Sequence, residues 1–180
     1  PYTTLFRSQE ITSFDSHNRR ISSLAFDSKG KTLYSGSFDG TIKIWDTVTR
    51  RLLRTLRKKP SKIYSIDFIR KSGSISNNSV IGSYNNQISM WNKDTGGKIL
   101  TFRGHSQPIT SIAVNSQKNL LASGSNDETI KLWNLNTGEL LTTIKGHSGK
   151  VESLAFNHHG NILISSARDR TIKIWQISVF

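Results

Sequence analysis

The four tryptophans of this chain fall at Trp45, Trp91, Trp133 and Trp175, at separations of 46, 42 and 42 residues. Spacing this regular means that one folding unit is repeated along the chain. The unit is clearest between Leu121 and Asn134. There Leu121-Ala122-Ser123-Gly124-Ser125 leads into Asn126-Asp127, and Thr129-Ile130-Lys131-Leu132-Trp133 follows. Alternation of Ile130 and Leu132 with polar residues is the period-2 mark of a strand, and Asn126-Asp127 supplies turn chemistry. Each unit is therefore a strand, a tight polar turn and a second strand closing on an indole. Copies stand at Ser35–Asp46, with Asp39 in the turn, and at Ser165–Gln176, with Asp169. A degenerate copy runs from Ile81 to Asn92, with Ile81 in the place of the strand serine and Asn85 in the place of the turn aspartate.

A second element precedes each unit. Gly104-His105 and Gly146-His147 place a histidine 22 residues ahead of Asp127 and Asp169, and the tryptophan comes six residues after the aspartate. Ser16-His17 does the same for Asp39 and Trp45, whereas Lys59 stands in that place in the second copy. In this order and spacing the chain resembles the WD-repeat family. The resemblance implies an all-β fold, a β-propeller segment of four four-stranded antiparallel blades belonging to a larger ring of about seven. It sets the layout as residues 9–15 for the outer strand of a preceding blade, then repeats at 16–57, 58–103 (degenerate), 104–145 and 146–180. The fourth repeat stops after its third strand. In the family a strand from the N-terminus commonly completes the last blade, and Ile11–Phe14 is the stretch of this sequence free to do so. Residues 1–8, Pro1-Tyr2-Thr3-Thr4-Leu5-Phe6-Arg7-Ser8, match the translated end of a DNA-sequencing adapter and are expected to be foreign to the protein.

Histidine, serine and aspartate therefore recur together, as they do in hydrolytic triads. Catalysis needs one cleft, and a set repeated at a fixed spacing serves the repeat instead. The resemblance implies a buried polar chain in three blades, with the aspartate holding the histidine and the histidine bonding the serine that meets the indole N–H. Its members are His17, Ser35, Asp39 and Trp45; His105, Ser123, Asp127 and Trp133; and His147, Ser165, Asp169 and Trp175. No enzymatic activity, cofactor or metal site is expected. His158-His159 precede Gly160 in a turn and have no further ligands at metal-binding spacing.

Composition narrows the remaining choices. The chain has no cysteine, which excludes disulfides and thiolate chemistry, and no apolar run approaches the roughly 18 residues of a membrane span. A soluble protein of the cytoplasm or nucleus is expected. The formal net charge is +13, much of it in Arg50, Arg51, Arg54, Arg57, Lys58, Lys59, Lys62, Arg70 and Lys71, opposed within that segment only by Asp67. Such a block attracts acidic proteins, nucleic acid or anionic surfaces, or it keeps a strand edge solvated. No aromatic residues interleave it for base stacking, which favours the solvated edge.

The resemblance places binding on the loops of one propeller face. The candidate residues are Arg20, Phe38, Lys62, Tyr64, Tyr84, Lys150, Glu152 and Arg168, a cationic and aromatic set suited to an acidic peptide or protein. The expected function is a non-catalytic protein-interaction scaffold. Two alternatives are a nucleic-acid-associated or anionic-surface binder, and the C-terminal sensor or targeting part of a larger enzyme such as a kinase. The oligomeric state is left open.

Overall fold

A computed structural model describes residues 8–14, 16–27, 29–58, 61–69 and 79–178. Residues 1–7, Lys59, Arg70, Lys71 and the chain end at Val179-Phe180 lie outside the described residues, as do the expectations attached to them. The expected propeller architecture is present: every regular element described is a strand, and all pairing is antiparallel.

Four sheets follow one another. The first contains β1 (Ile21–Phe26), β2 (Thr32–Ser37), β3 (Thr41–Asp46) and β4 (Leu52–Lys58). The second contains β5 (Ile63–Phe68), β6 (Ser79–Tyr84), β7 (Gln87–Asn92) and β8 (Lys98–Arg103). The third contains β9 (Ile109–Asn115), β10 (Leu120–Ser125), β11 (Ile130–Asn134) and β12 (Leu140–Ile144). The fourth has three strands among the described residues, β13 (Val151–Phe156), β14 (Ile162–Ala167) and β15 (Ile172–Gln176), in keeping with a repeat that stops after its third strand. Residues 11–14, read from the sequence as an outer strand, carry no strand pairing. The strand that would precede them on a blade of their own is not in the described chain, and a lone strand has no ladder to join. Phe14 nevertheless rests on Trp45 at a ring separation of 5.0 Å.

A sheet of such short strands has two apolar faces and must bury both against neighbours. Three clusters do this, one per joint. Tyr34, Ile42 and Ile44 of the first blade pack on Ile63, Ile66 and Phe68 of the second. Ile81, Ile88 and Met90 meet Ile109, Ile112 and Trp133 across the next joint, and Ala122, Ile130 and Leu132 meet Val151 and Leu154 across the last.

Polar stitches reinforce the apolar joints along the innermost strands. The amide of Ile66 donates to Ser23 Oγ (3.1 Å), that of Ile112 to Ser65 Oγ (3.3 Å), and that of Leu154 to Ser111 Oγ (3.2 Å). Asp67 Oδ2 adds a second link by accepting from Val114 N at 3.1 Å. The serines recur at the repeat spacing, a signal the sequence reading passed over in favour of the relay residues.

Close approach at these joints explains one glycine of the repeat. A Cβ built on Gly124 would lie 2.4 Å from Val151 Cγ1, inside any real contact distance. Gly124→Ala is therefore expected to lower stability by about 1–3 kcal/mol, measured by urea denaturation. Shortening the obstructing side chain as well, in Gly124→Ala/Val151→Ala, should cost less than the sum of the two single changes. Additive losses would mean that the steric reading of this joint is wrong.

Candidate functional site

The polar residues of each full repeat lie at the end of the blade where the inner strand begins. In the third blade His105 Nδ1 stands 2.8 Å from Asp127 Oδ2, and His105 Nε2 stands 2.8 Å from Ser123 Oγ. Ser123 Oγ accepts the Trp133 indole N–H at 2.8 Å. The first blade repeats this with His17, Asp39, Ser35 and Trp45 at 2.9, 2.7 and 2.9 Å. The fourth does so with His147, Asp169, Ser165 and Trp175 at 2.7, 2.7 and 2.8 Å. An ionised carboxylate only accepts, so Nδ1 carries the proton, and Nε2 accepts from the serine hydroxyl. The chain of donors therefore runs in one direction from indole to serine to histidine, and histidine donates in turn to aspartate.

The carboxylate is the anchor. In the first blade Asp39 Oδ1 accepts the Thr41 amide and hydroxyl at 2.9 and 2.6 Å, while Oδ2 accepts the Asn18 amide as well as His17. Thr129 and Ser106 serve Asp127 in the same way, and Thr171 and Ser148 serve Asp169. Burial pushes the Asp39 carboxyl up, but hydrogen bonds from Thr41, His17 and Asn18 outweigh it and bring the pKa down to about 2. Asp127 and Asp169 are lowered by the same balance. Burial lowers the pKa of His105 against the opposing pull of Asp127, which keeps the imidazole neutral.

The second blade lacks this relay, and the strand register corrects the reading of which residues replace it. Ser35, Ser123 and Ser165 pair with Lys43, Lys131 and Lys173, and the residue paired with the equivalent Ser89 is Gly82, not Ile81. Ile81 faces the core instead, fully buried. Asn85 does not occupy an aspartate position either. Tyr84 pairs directly with Gln87, so Asn85-Asn86 form a two-residue turn, with Asn85 in the left-handed region at φ 48°. The hairpins of the other blades are longer and carry their left-handed residue at Gly40, Glu128 or Arg170. In place of the relay the second blade has a line of hydroxyls that the sequence reading missed, Tyr84 to Ser89 at 3.1 Å and Ser89 to Thr101 at 3.3 Å.

The eight candidate face residues divide into two groups and an outlier. Phe38 lies beside Tyr64 with ring centroids 5.4 Å apart, and the Arg20 guanidinium and Lys62 ammonium stand 5.3 and 5.2 Å from the Phe38 centroid. These four come together from three segments, two of them in different blades. Lys150, Glu152 and Arg168 form the second group, with Glu152 Oε1 accepting from Arg168 Nε at 2.7 Å and Lys150 Nζ at 3.3 Å. Both cations there already have a carboxylate. Tyr84 joins neither group, because its ring packs near Trp91 and its hydroxyl meets Ser89. At the other end of the inner strands, Asp67, Ala113, Asn115, Ala155 and His158 line an open concavity of about 790 Å³. His158 and His159 are exposed, and among the described residues no group of three or more acidic, histidine or cysteine side chains is placed to hold a metal ion.

The relay makes acid sensitivity predictable. Asp39 has a folded-state pKa below its unfolded value, so its contribution is complete above about pH 4 and is lost as pH falls towards about 2. His105 is likewise lowered, so its contribution is complete above its ordinary value of 6.5 and weakens on acidification below it. Thermal melting followed from pH 8 to pH 2 should show both losses, and Asp39→Asn should shrink the lower one. At pH 7, Asp39→Ala and Asp127→Ala should each cost roughly 1–3 kcal/mol. Unchanged melting in both would show that the relay contributes nothing to stability.

Comparison with known proteins places these features in one family. The "WD domain, G-beta repeat" family, WD40, matches residues 8–46, 96–134 and 138–176 and passes over the degenerate second repeat. Among curated proteins, the COMPASS component SWD3 of Saccharomyces cerevisiae is 33% identical over 94 residues, which is 51% of this chain and 29% of that protein. The nuclear distribution protein nudF of Aspergillus flavus is 31% identical over 114 residues, or 62% of this chain and 24% of the relative. Protein tipD of Dictyostelium discoideum is 32% identical over 109 residues, covering 59% and 17%. The chain thus spans less than a third of the length of these relatives. Among solved structures, the computationally designed Ika4 protein superposes with TM-score 0.79 at 34% identity, over 96% of this chain and all of that one. The designed Ika8 protein gives 0.76 at 34% identity, over 92% of this chain and 48% of that one. The family's proteins are generally non-catalytic scaffolds for protein interaction, and with three matched repeats on a propeller fold this chain belongs to the WD40 family.

Proposed function

We propose that the chain is a non-catalytic scaffold that binds an acidic peptide or protein segment at Arg20, Phe38, Lys62 and Tyr64. The observation that carries this is the pair of cations held about one aromatic ring, both exposed and neither with a carboxylate partner among its described contacts. An incoming carboxylate meets two positive charges at once, and an apolar neighbour on the same peptide meets Phe38 and Tyr64. The Lys150–Glu152–Arg168 group offers less, since an acidic ligand there must displace Glu152. The net charge of +13 adds long-range steering, so association should slow as salt rises.

The same charge supports a second reading in which nucleic acid or another anionic surface is the ligand. As with relatives named for a COMPASS component and for nuclear distribution, the proposed compartment is the nucleus or cytoplasm. No described helix is long and apolar enough to cross a membrane.

Fluorescence anisotropy with a labelled glutamate-rich peptide containing one leucine separates the two readings. Arg20→Glu/Lys62→Glu should weaken peptide binding at least tenfold, and Phe38→Ala should weaken it several-fold, with melting temperature preserved. Lys150→Ala/Arg168→Ala should change it less than twofold. Equal losses from both cation groups, or retention of duplex DNA with slope against salt and no peptide binding, would overturn the peptide reading in favour of diffuse anion binding.

A further inference from the structure

The hairpin between β3 and β4 departs from the matching hairpins of the second and third blades. The three turns are built alike. The amides of Asp46, Asn92 and Asn134 donate to the carbonyls of Arg51, Gly97 and Glu139, each at 2.9 Å. Each turn holds one left-handed residue, Arg50, Gly96 or Gly138, at φ 60°, 75° or 80°. Glycine takes that conformation freely and arginine does not, so the first hairpin keeps a cation against the preference of its own backbone. Around it Val48 stands where the others have Asp94 and Asn136, and Arg51 where they have Gly97 and Glu139. Arg54 opposes Ile44 where Leu100 and Thr142 oppose Met90 and Leu132. Each change puts in a cation or an apolar side chain.

The result is an unbroken exposed run from Val48 to Arg54. Val48, Leu52 and Leu53 are 73%, 45% and 56% exposed. A missing neighbour is not the cause. Leu140 and Leu141 hold the places of Leu52 and Leu53 in the third blade, which has a blade on each side, and they are 45% and 50% exposed. Arg50 and Arg51 form no ion pair among the described residues, and Arg54 Nη1 reaches the Thr95 carbonyl at 3.4 Å. Exposed Lys29 and Lys31 lie alongside, because Thr47 N and Oγ1 donate to the carbonyls of Lys31 and Gly30 at 3.0 and 2.9 Å. The neighbouring carboxylates are engaged elsewhere. Asp27 and Asp46 accept the amides of their own turns, and Asp94 pairs with Lys93 at 2.8 Å.

We propose that this hairpin docks on an anionic lipid bilayer. Val48, Leu52 and Leu53 enter the headgroup layer, while Arg50, Arg51, Arg54, Lys29 and Lys31 meet the negative charge of the lipids. A bilayer surface is anionic outside and apolar just beneath, so one occupant answers both kinds of side chain. An acidic peptide answers the arginines alone. Long arginine stems let the charge stay at phosphate level while the apolar residues go deeper. Three apolar side chains are a small anchor, so binding depends on charged lipid and weakens with salt. The hairpin closes at the far end of β3 from the Phe38 turn, so this site is separate from the Arg20–Lys62 cluster.

Vesicles of phosphatidylcholine with about one-third phosphatidylserine should sediment the chain, and vesicles of phosphatidylcholine alone should not. Val48→Asp/Arg50→Gly/Arg51→Glu gives the hairpin residues that its counterparts carry, so the melting temperature should hold. Binding should fall at least tenfold, since each arginine near an anionic surface contributes about fivefold. Arg50→Gly alone should weaken binding several-fold while the melting temperature holds or rises, because the left-handed residue is then glycine. Arg20→Glu/Lys62→Glu removes the same amount of charge as the triple variant and should weaken binding far less. Depth has its own readout. The chain has no cysteine, so a polarity-sensitive dye on Val48→Cys reports one position, and its emission should shift to the blue on the serine-lipid vesicles. Equal losses in the two charge-matched variants, or no shift on vesicles that sediment the chain, would reduce the effect to diffuse charge and overturn the proposal. Capture of polyglutamate without capture by vesicles would overturn it in favour of an acidic protein.

Discussion

A short β-sheet with two apolar faces cannot stand alone, and that constraint organises the whole molecule. Thr41-Ile42-Lys43-Ile44-Trp45 and Thr171-Ile172-Lys173-Ile174-Trp175 are identical pentapeptides at equivalent places, in β3 and at the start of β15. Ile42 is fully buried and Ile172 is 73% exposed, solely because a blade follows the first and none follows the last in the described chain. Burial here is a property of the neighbour, not of the residue, and stability accrues joint by joint. The serine hydroxyls of Ser23, Ser65 and Ser111 follow the same logic. Each satisfies an amide on the next blade, so polar and apolar contacts register the same pair of sheets.

The relay of indole, serine, histidine and aspartate solves a different problem, the end of each blade. A turn there exposes amides that the ladder does not use, and the aspartate collects four donors around one carboxylate. Buried carboxylates are costly unless so satisfied, and the lowered pKa of Asp39 shows the balance falling on the ionised side. The second blade shows what happens when the hairpin is shorter. With Tyr84 paired to Gln87, no turn residue is placed to hold a histidine, and the Tyr84, Ser89 and Thr101 hydroxyls bond one another instead. The apolar core of that blade is the same as elsewhere, since Ile88 and Met90 stand where Ile42 and Ile44 stand in the first blade.

The sequence was most legible where spacing alone carries the information. The two strands read on either side of Asn126-Asp127 are β10 and β11 to within a residue at each end, because a half-buried strand must alternate and the repeats vote together. The histidine, serine and aspartate of the relay were legible as a recurring set, although their distances needed coordinates. Three things were not legible. The assignment of Ile81 to the serine position failed because counting back from Trp91 assumes a hairpin of constant length, and one residue of difference moves every side chain to the opposite face. Residues 11–14 have a strand's sequence but no strand, because pairing is a property of two segments. The inter-blade serines were overlooked because serine in a strand carries no local signal and gains one only through its partner in the next sheet.

Charge shows the same dependence on neighbours at the loop face. By composition Arg20, Lys62, Lys150 and Arg168 are four equivalent cations, and only geometry separates them. Glu152 sits between Lys150 and Arg168, so their field is spent locally at 2.7 and 3.3 Å. Arg20 and Lys62 instead converge on Phe38, whose ring attracts cations but carries no net charge. Each charge stands within 5.3 Å of the ring centroid, and the ring neutralises neither. A propeller can impose this arrangement because Phe38 comes from a hairpin of the first blade while Lys62 and Tyr64 come from the start of the second. The joint that buries Ile42 against Ile63 is thus also what assembles the cationic cluster, so packing and recognition rest on the same contact.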